Sequence, residues 1–153
     1  MFYAHQFTIE IDHETAQRFR DKCEQAGVTI AHALRCLLRP DSADKLYRGE
    51  HYNFANVPRL PRTEHARGAR TDSLAVSLTP AMYDVFTRYA LGAEASRSEL
   101  ARELIGASLS DPEFDLMVSP KTWTLELDCR EMLASIKAAN HEENCTRCGK
   151  KLV

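Results

Sequence analysis

The chain has 153 residues, 44% of them hydrophobic and 27% charged, and a formal net charge of −2. That length leaves room for one domain or two small ones, and the hydrophobic content is ordinary for a soluble protein. The charge excludes a broadly basic surface, so any basic patch must be local. No apolar run approaches the length needed to span a membrane, and Met1-Phe2-Tyr3-Ala4 leads straight into a strand pattern with no signal peptide. Five cysteines (Cys23, Cys36, Cys129, Cys145, Cys148) are an odd count. They read as reduced thiols or metal ligands of a cytoplasmic protein, not as a disulfide framework.

In chain order, Phe7, Ile9 and Ile11 alternate with Gln6, Thr8 and Glu10, which predicts a half-buried strand over 5–11. A helix over 12–26 follows, with Ala16, Phe19, Cys23 and Ala26 on one stripe. Cys23 and Cys36 sit among apolar neighbours and read as small core residues. After Ala26-Gly27, Thr29 opens a second helix over 30–39 carrying Leu34, Leu37 and Leu38, and Pro40 stops it. The stretch 41–72 forms an irregular linker in which Tyr47, His51, Tyr52 and Phe54 suggest some packing. Its end, 59–70, is proline-broken and carries four arginines and one glutamate. That composition suits a solvated linker, or an arm that follows a phosphate backbone through residues such as Arg67 and Arg70.

Alternation returns over 73–78, where Leu74, Val76 and Leu78 point one way and Ser73, Ala75 and Ser77 the other. Thr79-Pro80 marks a helix start, with proline at the first helical position, and this helix ends near Gly92. Ser96-Arg97-Ser98-Glu99 is a capping box before a helix through Leu100, Leu104 and Ile105. When Leu74 is laid on Phe7, the same offset lays Val76 and Leu78 on Ile9 and Ile11, Thr79 on Asp12, Phe86 on Phe19 and Ser96 on Thr29. The chain therefore reads as an internal duplication of strand, helix, turn and capped helix, over 1–40 and 73–110.

This plan, and the S-R-S-E-L run after a short helix, resembles the ribbon-helix-helix family of DNA-binding proteins. The resemblance covers about 5–39 and 73–109, under half of the chain. It implies two strands paired antiparallel as a ribbon that enters the major groove of double-stranded DNA. The two copies would pair within one chain as a pseudo-dimer, or each with its twin in a homodimer. Carried over by position, the groove-facing side chains would be Gln6, Thr8 and Glu10 in one copy and Ser73, Ala75 and Ser77 in the other. The helix starts at Ser96, Arg97 and Ser98, and at Ile30-Ala31, would hold phosphates, with Arg97 adding a charge. The chain departs from the family pattern in its outward residues. Ser/Ala/Ser offers few contacts to base edges, and Glu10 must accept from a cytosine amine or be repelled.

Beyond Pro112, residues 123–128 of the run 122–128 repeat the order of residue types in 7–12, which predicts a further strand followed by a helix over 129–140 with Met132, Leu133 and Ile136. The fold class expected is thus α+β, mainly helical, with a C-terminal strand-helix over 111–153 and a CxxC tail. Cys145-Thr146-Arg147-Cys148-Gly149 resembles a zinc knuckle, half of a tetrahedral Zn2+ site that His141 and Cys129 would complete. A redox pair and an unstructured tail are the other readings of this motif.

The sequence favours a DNA-binding protein: a transcriptional regulator, or an accessory factor resembling those of plasmid transfer. The alternative is a protein-binding module, such as an antitoxin or a phage-type inhibitor acting through 110–153. No nucleophile-base motif, Gly-rich phosphate loop or paired carboxylate points to an enzyme, and nothing points to a membrane partner.

Overall fold

A computed structural model of the chain describes residues 2–48, 71–111 and 122–144, with the side chains of 123–139 in the last segment. Strand β1 (His5–Ile11) leads into helix α1 (His13–Ala26) and helix α2 (Ile30–Leu37). Strand β2 (Asp72–Leu78) leads into α3 (Pro80–Gly92) and α4 (Arg97–Ser110), and α5 (Thr122–Asn144) follows. The protein is α+β and mostly helical. One constant offset relates the two strand-helix-helix units: His5 and Asp72 open their strands, His13 and Pro80 their first helices, Ile30 and Arg97 their second.

Local chemistry explains why the units match so closely. Each helix start has a short polar side chain that accepts from an otherwise unpaired amide. Asp12 takes Thr15 N, Thr29 takes His32 N, Thr79 takes Met82 N and Ser96 takes Glu99 N. The Thr15 amide holds the Asp12 carboxyl below its ordinary range, as expected of a carboxylate that caps a helix. The turns inside the units also match. Gly27 (φ +73°) and Glu94 (φ +55°) are left-handed, and Val28 N–H donates to Cys23 O as Ala95 N–H donates to Ala90 O. This left-handed closure is ordinary for glycine and strained for a glutamate.

β1 and β2 pair with each other, antiparallel, within one chain, and the register runs from His5 opposite Leu78 to Ile11 opposite Asp72. Cross-strand partners share a face. One face of this ribbon buries Ile9, Ile11, Leu74, Val76 and Leu78 against the helices. A two-stranded ribbon is not stable alone, so this apolar face joins one core with Phe19 and Phe86, both fully buried. Phe7 of the first unit meets Phe86 of the second edge-on, with ring centroids 5.1 Å apart.

The segment 122–128 is not a strand. It is the first two turns of α5, and the alternation in Trp123, Leu125 and Leu127 does not describe its burial. Leu125, Cys129, Met132 and Ile136 go inside, at helical steps of four, three and four, while Trp123 and Leu127 stay outside at 58% and 48% exposure. An added strand would also find both ribbon edges engaged: Arg35 Nε donates to Ser77 O (2.9 Å) and Arg102 NH1 to Glu10 O (3.2 Å). α5 instead packs on α3 and α2. Its buried Glu126 accepts from Thr79 Oγ1 at the start of α3 and from Arg130 Nε (3.0 Å), and Asp128 pairs with Arg39.

Of the linker residues expected to pack, His51, Tyr52 and Phe54 lie outside the described residues, and Tyr47 is replaced by its neighbour. Leu46 is buried and Tyr47 is exposed, but the Tyr47 backbone exchanges hydrogen bonds with α3. Its N–H donates to Arg88 O (3.0 Å), and Arg88 NH1 donates to its carbonyl (2.9 Å). A Cβ on Gly92 would lie 2.6 Å from Lys45 O, in a backbone segment that these bonds hold. Gly92→Ala should therefore cost about 1–3 kcal/mol of stability, read as a lowered urea midpoint.

Candidate nucleic-acid interface

The outer face of the ribbon collects six side chains from two remote stretches. The register places Gln6 beside Ser77, Thr8 beside Ala75 and Glu10 beside Ser73. All are exposed except Ser77, which is half-buried. The six groove-facing residues expected from the sequence thus form one contiguous surface, and the pairing that brings them together is internal to the chain. Thr8 faces its own counterpart in the second unit. A pseudo-two-fold axis therefore passes through the Thr8–Ala75 pair and relates Gln6–Ser77 to Ser73–Glu10.

Ser96, Arg97 and Ser98 stand at the start of α4, half-buried. The Arg97 guanidinium lies over the Tyr83 ring (5.0 Å) and its Nε donates to Thr87 Oγ1 (3.0 Å), so the side chain leans toward α3. His5 stacks on the same tyrosine, with centroids 4.3 Å apart and planes within 11°. Burial, then the nearby Arg97 charge, lowers the His5 pKa and keeps this end of the ribbon free of a second cation near neutral pH.

The opposite end is built on Asp72. Arg20 reaches its carboxylate with both terminal nitrogens (2.7 and 2.9 Å), and His13 Nδ1 lies 2.8 Å away. Arg20 also donates to Ser73 O (3.2 Å). Arg20, then the Ser73 amide, then His13 hold the Asp72 carboxyl well below the usual carboxylate range. A folded value below the unfolded one means that the stabilisation is present above the unfolded carboxylate value, about pH 4, and is lost as pH falls through the folded value. Asp72→Asn should lower stability at pH 7 and make the acid loss of stability shallower, measured by urea unfolding across pH.

Two residues of this surface escape a reading by element type. Arg35 (α2) and Arg102 (α4) flank the ribbon on opposite edges through the Ser77 and Glu10 carbonyls. They are related by the same offset as the two units, and in the first unit no other arginine or lysine recurs as one in the second. That recurrence is the signal that could have found them. Arg35 also lies 4.4 Å over the Tyr3 ring.

Of the proposed metal ligands, Cys129 is buried in the core and its thiol is pushed up to about 12, chiefly by burial. It lies three full turns before His141 on one continuous helix, a rise of about 18 Å, so the two cannot share a tetrahedral site within one chain. In this fold the Cys129 side chain packs in the core, and the side chain of His141 lies outside the described residues. Cys145, Cys148, Arg67 and Arg70 lie outside the described residues. Among the described residues, no three His, Cys, Asp or Glu side chains cluster to hold a metal, and no helix is long and apolar enough to cross a membrane.

The chain has no match among protein-family models, curated proteins or solved structures.

Proposed function

We propose that this protein binds double-stranded DNA by placing the β1–β2 ribbon in the major groove, with the two units acting as a tandem ribbon-helix-helix pair. The observation that carries this reading is the in-register ribbon itself, buried on one face and bare on the other, with six small or polar side chains on the bare face. Two strands about 4.8 Å apart, with their side chains, fit a groove about 12 Å wide. The helix starts at Ile30-Ala31 and Arg97-Ser98, one from each unit, offer backbone amides to phosphates. A net charge of −2 leaves attraction to DNA to local cations, among which Arg35 and Arg102 stand at the ribbon edges.

The test is capture of fragmented genomic DNA from the protein's own source at low and moderate salt, with sequencing of what is retained. A short sequence enriched at moderate salt supports the reading. Capture without sequence preference that vanishes with salt, or no capture, rejects it.

A second reading, a protein-binding module acting through 110–153, draws on one specific feature. Trp123 and Leu127, one helical turn apart, are exposed side by side on α5. An interface centred there would be apolar and would change little with salt, whereas phosphate contacts weaken steeply.

A further inference from the structure

We infer that the ribbon reads DNA in one fixed orientation, with an adenine-favouring half-site at the Gln6 end and a cytosine-favouring half-site at the Glu10 end. This rests on the DNA-binding reading above and specifies its ligand. A homodimer of one strand-helix-helix unit would present identical residues to both halves of its site. Here the two strands belong to one chain and differ in sequence.

The edge contacts and helix starts recur on the two sides of the axis. Arg35 ties the Ser77 carbonyl and Arg102 ties the Glu10 carbonyl, which are equivalent atoms in the two units. The caps at Thr29 and Ser96 and the left-handed turns at Gly27 and Glu94 match as well. The edges and helix starts therefore match in the two halves, and the outward side chains of the ribbon make their base contacts different.

Those side chains differ at both outer pairs that the axis relates, Gln6 against Ser73 and Glu10 against Ser77. One end carries Gln6 beside Ser77, and the other carries Glu10 beside Ser73. Serine is common to both ends and suits any base. Glutamine and glutamate are nearly the same size but differ in hydrogen-bonding sense. An amide both donates and accepts, and so matches adenine N7 and N6. A carboxylate only accepts, and so matches the cytosine N4 amine. At the axis, Thr8 and Ala75 offer methyl groups suited to a thymine methyl. The preferred site is then a pseudo-palindrome broken at both outer pairs of positions, and a protein bound there has a defined direction along the duplex.

The experiment is selection from a random duplex pool with the full chain and with its Glu10→Ser, Ser73→Gln double variant, at the same salt. Glu10 and Ser73 are exposed and their fold contacts are through backbone atoms, so the variant should fold; equal thermal midpoints verify this. The wild type should enrich a non-palindromic motif, and exchanging the base pair at the Glu10 end should weaken binding roughly ten-fold. The double variant places glutamine at one symmetry-related pair of positions, 6 and 73, and serine at the other, 10 and 77, and should enrich an inverted repeat about the same centre. A palindromic wild-type motif, or a variant motif identical to the wild type, overturns the inference while leaving DNA binding intact. If neither protein enriches any sequence, the DNA-binding reading falls and the inference falls with it.

Discussion

Phe86→Ala should lower the stability of the protein by about 3–5 kcal/mol, the range for truncating a fully buried aromatic. Phe86 has no exposed surface, and its ring meets Phe7 of the other unit edge-on. The cavity would open under the ribbon, between elements that cannot easily close over it. Both strands are held by their pairing, and α3 is held at its start by Thr79 and Glu126 and near its end by the Tyr47 backbone. A loss of this size is a third or more of the stability of many domains. It would appear as a lower urea midpoint with an unchanged slope. Phe19, the counterpart in the first unit and equally buried, should behave alike. A loss below about 1 kcal/mol would show that the two units do not share a packed interior.

The Arg35→Ala, Arg102→Ala double variant should weaken DNA binding on every sequence and flatten the log–log salt dependence by about one per arginine. Each guanidinium is positioned by a ribbon-edge carbonyl, next to the face proposed to enter the groove. One phosphate contact accounts for roughly three- to four-fold in affinity between about 50 and 200 mM salt, so losing both should cost about ten-fold over that range. The sequence preference should remain, because it resides on the outward face. Binding is measured by titration at several salt concentrations, with the melting temperature as the check that the ribbon is intact. An unchanged slope with a lowered melting temperature would mean that the arginines only close the edges of the ribbon.

Both effects depend on contacts between stretches far apart in the chain, and this separates what could be read in advance from what could not. The alternation in 5–11 and 73–78, the caps at Asp12, Thr29, Thr79 and Ser96 and the repeat of the whole unit are local patterns, and the elements stand where those patterns place them. The six outward residues were legible for the same reason: period-two alternation decides which side chains share a face once a strand exists. The run 122–128 misled because so short an alternation also fits two helical turns. The choice was made by Leu125, Cys129, Met132 and Ile136 packing in the core. Arg35 and Arg102 were invisible as edge groups, since an arginine on a helix says nothing about which carbonyl it will reach. The depth of Cys129 was likewise invisible, since the burial of a cysteine on a helix is set by the elements packed against it.

By itself the sequence determined the pieces: two capped strand-helix-helix units and the side chains on each face of each strand. These follow from backbone sterics and from hydrogen bonds spanning a few residues. The tertiary structure decided that the strands pair with each other in one chain, that Thr8 meets Ala75 at the axis, and that Gln6 and Glu10 lie at opposite ends of one surface. Neither unit can bury its apolar face alone. Register and pairing are therefore set by the shared interior around Phe19 and Phe86, which exists only when both units are together.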